Sequence, residues 1–159
     1  MIIDSFDGQK ENEEIVAAFR QHPWVLARSG FIAIVVILIG SVPMAFWPAD
    51  WSWIPLFLSV VVAVSYLSKD MYLWFNTIYI VTDRRVFAVC QKTPLMRTTS
   101  EVPLVNIQNA AHTRAGAAQM MFNYGTVGIQ TAGPTMALEL KNVANPYQVQ
   151  QIILQDQEK

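Results

Sequence analysis

The sequence predicts an α+β membrane protein: a two-helix transmembrane hairpin followed by a small antiparallel β-barrel or sandwich capped by a C-terminal helix. Three observations predict it. Two uncharged apolar runs, Ser29–Trp47 and Trp51–Leu67, stand back to back with only Pro48, Ala49 and Asp50 between them. From Asn76 the hydrophobic pattern switches to period two, in short runs separated by turn residues. Asn145-Pro146 then opens a stretch whose apolar residues return to helical spacing.

The first segment, residues 1–28, is polar and holds five acidic and three basic residues. It does not read as a secretory signal, so the first apolar run is expected to stay as an anchor. Glu11, Glu13 and Glu14 suit a helix N-terminus, Ile15, Val16 and Phe19 share a side, and His22-Pro23-Trp24 breaks the run. The spacing predicts a short amphipathic helix over 11–20, near a cytoplasmic interface.

The hairpin occupies 29–67. Each run is roughly 17–19 residues, close to the length that crosses a bilayer as a helix. The gap is too short for a folded loop, so the helices are antiparallel neighbours. Gly30, Ala33 and Gly40 on the first and Ser59 and Ala63 on the second let backbones approach closely in lipid. They form either the seam of the hairpin or a dock for another chain's helix. Neither run holds an ionisable residue, which argues against an ion path or proton relay. Arg20 and Arg28 precede the hairpin, Lys69, Arg84 and Arg85 follow it, and the turn carries only Asp50, so both termini are expected in the cytoplasm. Trp47, Trp51 and Trp53 at the turn, and Trp24, Tyr66, Tyr72 and Trp74 at the other end, suit the two interfaces. Residues 68–75 read as a linker.

The last segment, 76–159, is long enough for one small domain. Residues 77–82 and 86–90 form a first hairpin across Asp83-Arg84. Strands follow at 98–104, 105–113, 124–131 and 135–143. Residues 116–123 read as a short helix or turn, and Ala132-Gly133-Pro134 as a turn. Asn145 is the expected N-cap of the last helix, with Pro146 at its first position and Val149, Ile152 and Ile153 as its apolar stripe.

Composition narrows the chemistry. Cys90 is the single cysteine, so it allows no internal disulfide or thiolate cluster and reads as a packed small hydrophobe. Residues 76–159 hold seven basic and five acidic residues, too even a balance to argue for nucleic acid. His22 and His112 lack further ligands at metal-binding spacing. No nucleophile–base set or glycine-rich phosphate loop stands out, so no enzyme, small-molecule substrate, cofactor or metal is expected.

The ordered segments His22-Pro23-Trp24, Tyr79-Ile80-Val81-Thr82-Asp83-Arg84-Arg85-Val86, Val102-Pro103-Leu104-Val105-Asn106-Ile107-Gln108, Phe122-Asn123-Tyr124-Gly125-Thr126-Val127 and Val143-Ala144-Asn145-Pro146 cover nearly the whole chain. In order and spacing they resemble the bacterial pleckstrin-homology (PH) domain family of small membrane proteins. The resemblance implies a PH-like barrel of about seven strands with a capping helix, held at the bacterial inner membrane, and brings no catalytic residues. Eukaryotic PH folds often bind phosphoinositides through basic residues around the loop between the first two strands. Here that implies Arg84 and Arg85, with Lys92 and Arg97 near them, in contact with membrane lipids. Met120, Met121 and Phe122, with polar Asn109, His112 and Arg114, offer a protein-contact surface. The expected function is a membrane-anchored scaffold or accessory subunit, self-associating as a homo-oligomer or docked on a larger membrane protein complex. Anionic-headgroup recognition through Arg84 and Arg85 is the alternative.

Overall fold

The computed structural model describes residues 13–47, 49–131 and 136–157. The elements are β1 (Ile15–Arg20), α1 (Val25–Phe46), α2 (Trp53–Phe75), β2 (Ile78–Thr82), β3 (Arg85–Thr93), β4 (Met96–Pro103), a 3-10 turn (Leu104–Asn106), β5 (Ile107–Thr113), α3 (Ala117–Met121), β6 (Tyr124–Thr131), β7 (Met136–Ala144) and α4 (Pro146–Gln157). They divide into two compact units. Pro23–Phe75 is one, and the described residues on either side of it together make the other.

The helical unit is a pair of helices of 22 and 23 residues. At about 1.5 Å per residue each is long enough to cross a bilayer. Length and composition suit both to a membrane, and they suggest membrane association. Phe31, Ile34, Leu38, Ile39, Phe57 and Leu58 are all exposed, an apolar surface that lipid accepts and water does not. Ser29, Ala33, Ser59 and Ala63 are buried between the helices. Gly40 belongs to the same seam: a Cβ there would collide with Ser59 and lie 2.9 Å from Pro55 O. Gly30 does not, because nothing lies within 4 Å of where its Cβ would stand. Three serine hydroxyls in this unit are satisfied locally, Ser41 by Leu38 O (2.7 Å), Ser59 by Leu56 O (2.8 Å) and Ser65 by Val61 O (2.8 Å). An apolar setting demands that.

The second unit is a sandwich of two antiparallel sheets. One has the order β1-β2-β3-β4, the other β5-β6-β7. They are joined by a bridge between Gln21 and Val143, and His22 N donates to Asn142 O at 2.7 Å. No closed barrel forms among the described strands. Alternation sends Tyr79, Val81, Val86 and Ala88 inward from the first sheet to meet Val127, Ile129, Leu140 and Val143 from the second. Val149 and Ile153, four apart on α4, are fully buried against this core. Burial of each contributes ~1.5–3 kcal/mol.

Three expectations need correction. Residues 15–20 form a strand, not an amphipathic helix: β1 pairs antiparallel with β2, Ala17 opposite Val81 and Arg20 opposite Ile78. A helix this short is marginal alone, whereas pairing with β2 occupies its backbone groups. The start of the expected helix, 11–12, lies outside the described residues. The fold's first strand thus precedes the helical hairpin, and the connection between its first two strands is the hairpin itself. Second, 68–75 is not a linker but the end of α2. Lys69 and Asp70 interrupt the hydropathy without a glycine or proline to stop the helix. Ser29 Oγ donates to Asp70, which Lys69 pairs at 3.0 Å. Third, the fourth expected strand begins only at Ile107. A bulge between Ile107 and Asn109 shifts its phase so that Ile107 and Ala110 are both buried, and Val105 is exposed in the 3-10 turn that precedes it. The turn expected at 132–134 lies outside the described residues.

Candidate functional site

The β2–β3 turn holds a buried ion pair. Arg85 Nε and Nη2 donate to Glu13 Oε1 and Oε2 at 2.8 and 2.9 Å, and Nη1 reaches Glu101. Thr82 Oγ1 accepts from Arg85 N (3.1 Å) and is 2.8 Å from Glu13 Oε1. Glu13 is 4% exposed and Arg85 6%. The guanidinium also lies 5.6 Å from the Phe87 ring centroid. The Glu13 hydrogen bond, ahead of its charge, raises the Arg85 pKa above its ordinary value against the cost of burial. Glu14 and Asp83 extend the link, Glu14 N donating to Asp83 Oδ1 (3.1 Å) and Asp83 N to Glu14 O (3.1 Å). This is a clasp between the residues before β1 and the turn after β2. Three Arg85 N–H groups thus face carboxylates, two on buried Glu13 and one on exposed Glu101.

A second feature of the sandwich lies elsewhere. A cleft of about 420 Å³ runs where β4 and β7 diverge, lined by Cys90, Lys92, Thr98, Ser100, Glu139 and Lys141 among others. Tyr79 sits within it. Its hydroxyl donates to Lys141 O (3.1 Å) and accepts from Lys141 N (3.1 Å) and Gln21 Nε2 (3.3 Å). Burial, the largest influence, pushes this phenol up to about 12, so it stays a neutral hydrogen-bonding strut. Among the described strands β4 has β3 as its single neighbour. Its Thr98 and Ser100 are half-buried on the cleft side, while Arg97, Thr99 and Glu101 are exposed. A free strand edge beside a polar cleft can take an extended chain by backbone pairing.

The other expected site residues are scattered. Arg84 is exposed beside Asp83, at 3.6 Å. Lys92 and Arg97 lie at the opposite end of β3, roughly 25 Å away at about 3.3 Å per residue. The four basic residues therefore do not form one lipid site. His112 Nδ1 donates to Gln150 Oε1 (2.6 Å), whose Nε2 donates to Ala110 O (2.5 Å), and its ring meets Tyr147 edge-on. It fastens α4 to β5. Asn109 is exposed, and Arg114 lies half-buried beside Gly125, its Nε lacking a hydrogen-bond partner among the described residues. Met120 and Met121 are exposed and Phe122 half-buried. Asn145 takes a left-handed backbone, φ 49°, and its carbonyl accepts from Gln148 N at 3.0 Å as at a helix start. Its side chain instead accepts from Asn123, another left-handed asparagine. Sequence reasoning missed the Glu13 partner of Arg85 and the cleft, since both depend on residues brought together across the hairpin or between sheets. Among the described residues no group of three or more His, Cys, Asp or Glu is placed to hold a metal.

Two antiparallel sheets packed face to face and covered by a C-terminal helix define a PH-like module. The sequence pattern of the bacterial PH domain family matches residues 16–157, and the chain belongs to that family. Two solved structures are similar at 12% identity each. One is a DUF1696 family protein with a pleckstrin-homology domain from Shewanella loihica PV-4, covering 53% of this chain and 73% of that one, with a TM-score of 0.42. The other is a pleckstrin homology domain from Shewanella amazonensis SB2B, covering 95% and 89%, with a TM-score of 0.47. No curated protein matches the chain.

Proposed function

We propose that this chain is a non-enzymatic, membrane-anchored PH-like binding module, a scaffold or accessory subunit that docks on a larger membrane protein complex. The observation that carries the reading is the open cleft beside the free edge of β4. It suits an extended segment of a partner, paired to β4, with its side chains between Thr98, Ser100 and the charged rim of Lys92, Glu139 and Lys141. The exposed pair Met120 and Met121 offers a second contact surface. The site is the bacterial inner membrane with both termini cytoplasmic. Arg20, Arg28 and Lys69 flank the helices on one side, and the connection carries Asp50 alone. Headgroup recognition through Arg84 and Arg85 is not favoured, because Arg85 is buried in its ion pair.

Purification of the native full-length chain in mild detergent, with particle sizing and mass spectrometry, tests this. The expected result is a defined assembly with a stoichiometric companion, lost in Ser100→Arg while the thermal unfolding of that variant matches wild type. A monomer, or an assembly indifferent to Ser100→Arg, contradicts it.

A further inference from the structure

The register of the first sheet divides its basic residues between two ends. Arg20 pairs with Ile78 and Ile78 with Val89. These residues mark the end of the sheet from which the chain leaves toward α1 and to which it returns from α2, only a few residues beyond. β3 and β4 run on past that level, through Cys90 to the turn at Pro94 and Leu95, with Gln91 opposite Arg97 and Thr93 opposite Met96. From Val89 to the turn is five or six residues, about 15–20 Å of strand. Ile78 is three residues from the end of α2, at most ~10 Å. The β3–β4 tip therefore projects from the end of the sheet at which the chain leaves after β1 and returns before β2. Arg84 and Arg85 are at the other end.

The tip has an unusual surface. Leu95 is 100% exposed and Met96 54%. Lys92 and Arg97 flank them, both exposed, and neither has an acidic partner within 4.0 Å among the described residues. The tip is also held in shape: Gln91 Nε2 donates to Thr93 O (2.8 Å) and Pro94 O (3.3 Å). A fixed apolar apex between two exposed cations complements the surface of an anionic bilayer, with apolar groups below the phosphates and bases level with them.

We infer that the β3–β4 tip is a membrane-contact finger, in which Leu95 and Met96 enter the headgroup region of an anionic bilayer while Lys92 and Arg97 pair with lipid phosphates. This rests on the helices being membrane anchors, and Lys92 is shared with the rim of the cleft beside β4, whereas Leu95, Met96 and Arg97 lie outside it. A finger of this kind adds a contact at the membrane surface to the covalent tether, and holds the sandwich there.

The test uses the full chain in nanodiscs of phosphatidylcholine, alone or mixed with phosphatidylglycerol. Single cysteines replace Leu95, Arg84 or Ile34 in a Cys90→Ala background and carry an environment-sensitive fluorophore. Spin-labelled lipids with shallow or deep labels serve as quenchers. The Leu95 probe is expected to shift to the blue and to be quenched by shallow labels, more strongly when phosphatidylglycerol is present. The Arg84 probe should stay water-like, and the Ile34 probe should be quenched by deep labels. Lys92→Gln with Arg97→Gln should lower the docked-to-undocked ratio at the Leu95 probe on the order of thirtyfold. An Ile34 probe in lipid with an unquenched Leu95 probe overturns the finger and leaves the anchor standing. If neither probe meets lipid, the anchor reading fails and the finger with it. A Leu95 probe shielded from water but indifferent to lipid quenchers assigns the tip to a protein surface instead, which also overturns the inference.

Discussion

Arg85 is where single-residue reasoning and the fold part company. In sequence it is one of two adjacent arginines after a turn-forming aspartate, a pattern that usually means solvent or phosphate. Its partner, Glu13, lies 72 positions away on the far side of the helical hairpin. No local signal joins the two. Once β1 pairs with β2, the carboxylate meets the guanidinium as a bidentate fork and water is excluded. Removing Glu13 leaves the buried Arg85 charge with only the exposed Glu101 as carboxylate partner, and breaking a buried pair costs ~3–5 kcal/mol. Glu13→Gln should lower the unfolding free energy of the sandwich by that amount in chemical denaturation. Glu13→Met combined with Arg85→Met should recover most of it, because the double change leaves no buried charge. A Glu13→Gln chain within about 1 kcal/mol of wild type, the range of exposed pairs, would place the fork at the surface. Lys92 and Arg97, expected beside Arg84, are exposed, and only the strand register shows them to be far from it.

At the scale of elements, most of the pattern was legible. The period-two runs after Asn76 became β2 to β7, and the two apolar runs became α1 and α2. The failures share one cause, an interaction outside the window being read. Residues 15–20 carry alanines and follow glutamates, so they read as helix until β2 is available to pair with them. Lys69 and Asp70 read as a break in α2 because hydropathy falls there, yet Ser29 on the neighbouring helix supplies a partner for Asp70. Within the hairpin, spacing alone could not separate Gly40 from Gly30, since both fit the small-residue stripe. Contact separates them. Gly40→Ile drives a side chain into Ser59 and should reduce resistance to SDS unfolding by ~1–3 kcal/mol. Gly30→Ile points into open space and should stay within about 0.5 kcal/mol. Equal losses at both positions would mean that the helices pack on a different seam.

At the scale of the whole molecule, the arrangement is an insertion. The helical hairpin lies between the first and second strands of a PH-like sandwich. The β1–β2 ladder holds the two ends of that insertion opposite each other, Arg20 against Ile78. This was hidden in the sequence, because a domain read as starting at residue 76 already shows six strands' worth of pattern and gives no hint that one is missing. The consequence is physical. Without β1, the paired edge of β2 is exposed, Arg85 loses Glu13, and the bridge from Gln21 to Val143 between the sheets is gone. The sandwich is thus discontinuous in sequence, drawn from both sides of the contiguous hairpin Pro23–Phe75.

The most direct measurement is cooperative thermal unfolding, by circular dichroism, of two chains that lack Pro23–Phe75. In one, residues 1–22 are joined to 76–159 by a short glycine-serine linker; in the other, 76–159 stands alone. The account predicts a soluble chain with a single sharp transition for the first, and for the second an unfolded or aggregating chain with no transition. A second chain that unfolds as cooperatively and at the same temperature as the first would contradict it, because β1 and Glu13 would then be dispensable to the fold.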